Sequence, residues 1–319
     1  MSDKQARAEI EDRIAAEMTA LAAEAMPEAG AFARELLRRH GAENVAAVLF
    51  YGSCLRNRDP GGLLDFYLLV DDYRGIFGSA LLRLGNRLLP PNVLFTRASL
   101  EGSDLQAKVA VISLDDFARA VGPDARDTTI WARFSQPVAA CHVRDEAHAR
   151  RLAGLLADAI VTATSRLAPL LPERVTPRGF WSGLYALTFG AELRAERANR
   201  PELIVEQYPA RYEALAFPAI KAAGFEVAGE GEGLKISIPS SLRRAAARRW
   251  RRERLKGKLR NLARLVKAVF TFDGAVDYAL WKVERHAGVR VEVSDWQRRH
   301  PILAAPRVLW RLYRIGALR

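Results

Sequence analysis

The sequence predicts an α+β protein: a small mixed sheet with accompanying helices, then a mainly helical region, then a basic helical C-terminal tail. Three observations carry this. Short β-branched and aliphatic runs cluster within residues 45–112, helical periodicity dominates residues 127–211, and positive charge gathers after residue 242. At 319 residues and 50% hydrophobic, the chain is long enough for substantial cores. The expected division is 1–125 for the sheet with its N-terminal helices, 126–225 for the helical domain, and 226–319 for a linker and tail.

Each element has a local reason. Residues 3–26 and 29–40 read as amphipathic helices, with Ile10, Ile14, Met18 and Leu21 on one face. A strand over 45–51 ends at Gly52-Ser53, and after the turn around Asp59-Pro60-Gly61-Gly62 a second strand covers 63–70. Residues 73–89 suit a short helix halted by Pro90-Pro91. Strands at 93–96 and 108–112, joined by a turn near Gly102, complete the sheet. Ser113, with Asp116 three residues on, reads as the capped start of a helix. Residues 127–211 read as helical almost throughout, punctuated by Pro137, Pro169, Pro172, Pro177 and Pro201. Residues 226–239 suit a linker with a hairpin-like piece, and a basic helix follows over 242–270. A further helix at 272–286, a short strand and an apolar, basic segment at 306–319 close the chain.

Composition narrows the function classes. Two cysteines, Cys54 and Cys141, exclude a disulfide framework and a Cys-based metal site, and favour a reducing compartment. No run approaches 18 uncharged apolar residues, so no bilayer span is expected. The N-terminus mixes acids with bases and lacks an apolar core, so neither a signal nor a transit peptide is expected. From Leu242 to Arg319 there are 21 Lys and Arg against 6 Asp and Glu. Of the totals of 49 and 37, the first 241 residues therefore hold 28 and 31. The body is near neutral and the tail is a cation that suits an anionic partner.

The chemistry-bearing stretch is VAAVLFYGSCLRNRDPGGLLDFYLLVDD, residues 45–72. A Gly-Ser at the end of one strand lets backbone N–H groups approach phosphates, and a carboxylate on the next strand can hold Mg²⁺ against them. Gly52, Ser53 and Asp65 have this arrangement. Polymerase-type nucleotidyltransferases carry a second acid two residues on, on the same strand face, but here that position is Tyr67. Asp71 shares the face of Asp65 but lies roughly 20 Å farther along the strand.

Other segments extend the pattern: Tyr51-Gly52-Ser53, Leu64-Asp65-Phe66, the strand from Lys108 into Asp115-Asp116, and Ala132-Arg133-Phe134-Ser135-Gln136-Pro137-Val138. Leu170-Leu171-Pro172-Glu173, Leu184-Tyr185, Gly190-Ala191-Glu192-Leu193-Arg194 and Val205-Glu206-Gln207 follow in order. This series, over roughly residues 45–215, resembles the mitochondrial-type phosphatidate cytidylyltransferases, whose members use CTP and phosphatidic acid to make CDP-diacylglycerol. The resemblance implies a nucleotidyltransferase fold, Mg²⁺ as cofactor and a motif without the second acid at Tyr67. The chain departs from the family at Gln136, where a Lys is usual, and at Glu192, where an Asp is usual. It also lacks the family's Trp-His pair after the second strand, which leaves the lipid acceptor open.

On this reading Tyr51, Gly52 and Ser53 bind the nucleotide, and Ser53, Asp65 and Lys108 form the catalytic group. Arg133 and Arg194 contact substrate phosphate, and Asp65 and Glu192 hold the metal. Without the resemblance, a turn with a capping Asp, a solvated Lys108, an internal ion pair at Arg133 and an exposed acid at Glu192 stay open. The five histidines show no metal-ligand spacing.

The tail places bases around Leu255, Leu259, Leu262, Val266 and Phe270, and its last segment interleaves Trp310 and Tyr313 with Arg307, Arg311 and Arg314. An Arg-rich amphipathic helix with interfacial aromatics suits an anionic membrane surface. Nucleic acid is the less expected partner. The expected location is cytoplasmic, peripheral to the inner face of the cell membrane. Transfer to another lipid phosphate or an RNA end, or a silent binding role, remain the alternatives.

Overall fold

The computed structural model describes residues 1–59, 62–100, 102–191, 199–231 and 233–271, with Ser294, Trp296, Gln297 and Trp310 beyond them. The fold is mixed α+β. The expected helix at 272–286, the strand after it and the segment 306–319 lie outside the described residues, apart from those four.

Helix α1 (Asp3–Ala23) begins at a capping box: Ser2 Oγ accepts from the Gln5 N–H, and the Gln5 side chain accepts from the Ser2 N–H. Helix α2 (Pro27–His40) starts with Pro at N1, where its missing N–H costs nothing. Strand β1 (Val45–Tyr51), the short helix α3 (Ser53–Asn57) and strand β2 (Leu64–Val70) follow. Then come α4 (Ala80–Leu88), the hairpin β3 (Asn92–Leu100) and β4 (Ser103–Ser113), and α5 (Leu114–Val121). Both hairpin strands run longer than their apolar runs suggest, because ladder pairing extends through polar residues to Leu100↔Ser103. The expected cap is present: the Asp116 N–H donates to Ser113 Oγ.

Helix α6 (Thr128–Phe134) leads to strand β5 (Ala139–Val143), which the helical reading of 127–211 did not anticipate. Its Ala-Ala-Cys-His-Val sequence carries little period-two signal. Pairing with β1, which already has a partner on its other edge, makes it a strand. The sheet order is β3-β4-β2-β1-β5, with β2 and β4 parallel and all other pairs antiparallel. Helix α7 (Glu146–Leu167), strand β6 (Arg174–Val175) and helices α8 (Pro177–Phe189), α9 (Arg200–Glu206) and α10 (Pro209–Ala222) follow. The hairpin β7 (Glu226–Glu230) and β8 (Gly233–Ser237) pairs with β6 to make a second sheet. Ile236 of this hairpin is fully buried, so the segment expected as a linker packs into the body.

Alternation along β1 and β2 splits the apolar side chains into two cores. Val48, Phe50, Phe66 and Leu68 meet α2 on one face. Leu49, Tyr67 and Leu69 meet α1, α6, α7, α8 and α10 on the other, in a core continuous across residue 125. A buried ion pair ties that layer together: Arg211 Nε on α10 donates to both Glu17 oxygens on α1, at 2.9 and 2.7 Å.

Helix α11 (Ser240–Thr271) is the basic helix. It docks through one stripe in which Arg243 donates to the Pro169 and Leu171 carbonyls, Trp250 is buried, Glu253 meets Arg166 and Gly257 abuts the body. Leu255 and Leu259 lie away from that stripe and face outward. No helix among the described residues is long and apolar enough to cross a membrane.

Candidate functional site

The site begins where β1 ends. Tyr51 stands opposite Asp65 in the antiparallel ladder, and Asp65 stands beside Lys108 in the parallel one. Register therefore sets Tyr51, Asp65 and Lys108 in one row across three strands, on one sheet face. Lys108 is the sixth residue of β4 rather than the opening of a strand, because β4 starts at Ser103. Phe95 on β3 extends the row to the sheet edge.

Gly52 is required here for two reasons. Its φ of 89° and ψ of −159° belong to a region open in practice only to glycine. A Cβ on it would lie 2.8 Å from Asp65 Oδ2 and 3.3 Å from Asp65 Cβ. The turn backbone is thus held directly against the carboxylate, and Ser53 follows at the exposed side of the turn. Gly52→Ala is expected to cost about 1–3 kcal/mol from backbone strain and to displace the Asp65 carboxylate. Urea unfolding with nucleotide titration checks both effects; unchanged stability with full nucleotide binding would count against this geometry.

Tyr67 explains the missing second acid. It is fully buried, with its ring 5.4 Å from Tyr51 and edge-on to Phe134 at 4.8 Å. Its hydroxyl accepts a 3.1 Å hydrogen bond from Arg133 Nη1, and the same guanidinium lies over the Tyr51 ring at 5.2 Å. An aspartate there would sit among aromatic rings, where an ionised carboxylate is costly. The tyrosine instead fixes Arg133 beside the row that contains Asp65. Cation–π contact with two rings helps to orient the guanidinium.

Arg56 is a residue the motif reading missed. It sits one helical turn beyond Ser53 on α3 and is half-buried. Burial and then the neighbouring Arg200 pull its pKa below the ordinary arginine value, while Tyr212, Tyr208 and Asp65 act the other way. A guanidinium remains charged under these conditions, so Arg56 adds positive charge close to Asp65. The i, i+3 spacing from Ser53 was legible in the sequence; its closeness to Arg200, more than 140 residues away, was not. Asn57 Oδ1 accepts from Gln207 Nε2 at 2.9 Å, joining α3 to the end of α9.

Of the expected residues, the structure brings together Tyr51, Gly52, Ser53, Asp65, Lys108 and Arg133. Glu192 and Arg194 lie outside the described residues. Asp71 is engaged elsewhere, in a 2.8 Å ion pair with Arg144. Among the described residues no three His, Cys, Asp or Glu side chains gather as a metal site. Mg²⁺ commonly takes one or two carboxylates, completing its octahedron with water and substrate phosphates. Asp65, held against the Gly52 turn, fits that demand as a single protein ligand. A comparison of the sequence with protein-family models and with curated proteins finds no match to either.

Proposed function

We propose that this protein is a nucleotidyltransferase that transfers CMP from CTP to phosphatidic acid at a membrane surface, giving CDP-diacylglycerol and pyrophosphate. The observation that carries the reading is the Gly52 turn packed on Asp65, with Lys108 in register beside it and Arg56 and Arg133 nearby. One carboxylate amid several cations suits a triphosphate and its metal better than it suits an ordinary turn.

The absence of a Cβ on Gly52 lets Asp65 pack directly on the turn, which brings the carboxylate beside backbone N–H groups of the kind that receive phosphate oxygens. Asp65 holds the metal position. Mg²⁺, when bound, offsets negative charge on the phosphates and steadies the leaving pyrophosphate. Lys108 and Arg56 contribute further positive charge around the same phosphates, Lys108 as a compact point charge and Arg56 as a fork. Arg133, oriented by Tyr67 and Tyr51, faces the acceptor phosphate. An oxygen of that phosphate attacks the α-phosphorus in line, and the bond from the α-phosphorus to pyrophosphate breaks. Residue Glu192 remains the expected second carboxylate. The choice of cytosine and of a diacyl acceptor rests on the family resemblance.

A lipid acceptor requires the protein to reach the surface that holds it. The outward face of α11 supports this: Leu255 and Leu259 are exposed beside Arg248, Arg251, Arg252, Lys256 and Lys258. Each base near an anionic surface contributes about 1 kcal/mol. The location that follows is peripheral, on the inner face of the cell membrane.

The test is pyrophosphate release by purified protein with Mg²⁺ and each of the four nucleoside triphosphates, using vesicles with and without phosphatidic acid. Release that requires both CTP and phosphatidic acid is the expected result. Absence of release with every nucleotide, from folded protein that still binds the vesicles, would make this a binding protein instead.

A further inference from the structure

Helix α4 is built the wrong way round for a helix that meets only water. Its polar Asn86 is fully buried, and Asn86 Nδ2 donates to the Val111 carbonyl at 3.0 Å. Leu82 turns inward beside it, and its carbonyl accepts from the buried Asn92 side chain. The opposite face carries Leu81, Leu84 and Leu88 at i, i+3 and i+7, which are 76%, 53% and 74% exposed. Scattered exposed leucines need no explanation, but three on one stripe of a nine-residue helix form a patch.

The surroundings of the patch select its partner. From Tyr73 to Leu100 the chain has four arginines, Arg74, Arg83, Arg87 and Arg97, and no acidic residue. Arg83 is committed to the Phe77 and Gly78 carbonyls, whereas Arg74, Arg87 and Arg97 are exposed. The segment that follows the helix is bound to α11: Arg264 donates to the Pro90 carbonyl, and Lys267 donates to the Leu89 and Pro91 carbonyls. An exposed apolar stripe in a segment whose only charged residues are arginines, tied to the end of the basic helix, is complementary to an anionic lipid surface.

We infer that the Leu81-Leu84-Leu88 face of α4 inserts into the interfacial layer of an anionic bilayer, as a second contact beside α11. The inference rests on the membrane part of the proposed function. It adds a consequence for orientation: with two contacts on joined elements, the body is held at a defined attitude. Strand β3 then leads directly from the contact to Phe95, in the row of Lys108 and Asp65.

The experiment compares three full-length proteins in flotation with phosphatidylcholine vesicles, with and without phosphatidylglycerol. These are the wild type, Leu81→Ser/Leu84→Ser/Leu88→Ser, and Arg248→Glu/Arg251→Glu/Arg252→Glu on α11. The α4 variant is expected to melt like wild type and to bind anionic vesicles about tenfold or more weakly. Equal binding by wild type and the α4 variant, with a loss in the α11 variant, overturns the inference and leaves the proposed membrane reading standing. No binding by wild type overturns both. A wild-type dimer in light scattering that the α4 variant converts to monomer makes the patch an interface between copies, and so overturns it too. Hydrogen exchange on wild type provides a reading independent of any variant. Amides of residues 80–88 are expected to slow when vesicles are added, and unchanged exchange there defeats the proposal.

Discussion

Asp65→Ala is expected to lower nucleotidyl transfer by at least about 10³-fold, equivalent to roughly 4 kcal/mol of transition-state stabilisation. The carboxylate is half-buried against the Gly52 turn, in one row with Tyr51 and Lys108, so no neighbouring acid on that row replaces it. The fold is expected to survive. Gly52 carries no Cβ that rests on the carboxyl group, and the aromatic cluster of Tyr51, Tyr67 and Phe134 does not depend on it. Asp65→Asn keeps the shape and removes the charge, so it should be nearly as inactive as Ala if charge is what matters. Pyrophosphate release together with a thermal melt separates the outcomes. A folded Asp65→Ala protein with wild-type turnover would end the assignment of Asp65 as metal ligand.

Asp127→Ala is expected to have the largest effect on stability, about 3–5 kcal/mol. Asp127 caps α6, accepting from the Thr129 N–H at 3.0 Å, and it pairs with Arg264 of α11, with Arg260 at 3.9 Å. Removing it uncaps the helix that carries Arg133. It also leaves the largely buried Arg264 guanidinium without its carboxylate. Burial alone would raise the Asp127 pKa, but Arg264 outweighs it and holds the carboxyl below its usual value of 3.8. A carboxyl with a depressed folded pKa contributes fully above its unfolded value and loses that contribution as pH falls through the folded one. Wild type should therefore lose stability on acidification below about pH 4 by more than Asp127→Asn, which keeps the capping oxygen but not the charge. Urea unfolding of both proteins across that range measures the difference. Parallel pH curves would show that the Arg264 pair contributes little.

The outward stripe of α4 and the inward stripe of α11 show how far helix periodicity can be read. The apolar spacing of α11 was evident from the sequence, whereas residues 73–89 read only as a mixed segment suited to a short helix. In α11 the notable apolar positions Leu255 and Leu259 face out, while Arg243, Trp250, Glu253 and Gly257 make the dock. In α4 an asparagine is inside and three leucines are outside. The side that faces the body is decided by what the body offers, such as the Val111 carbonyl for Asn86 or Arg166 for Glu253. A periodic pattern contains no record of those partners.

By itself the sequence determined the local features: the strand ending at Gly52-Ser53, the return strand carrying Asp65, the Ser113 cap and the basic helix. Each depends on residues within one turn or one hairpin, where φ/ψ preference, capping and alternation act. Tertiary structure alone decided the rest. It made β5 a strand by pairing it with β1, set Lys108 beside Asp65 through parallel register, and turned Tyr67 from an apparent defect into the support for Arg133. It also brought Arg200 next to Arg56. These contacts join residues tens to more than a hundred positions apart. Their energies appear only once the intervening chain has folded, so no local pattern announces them.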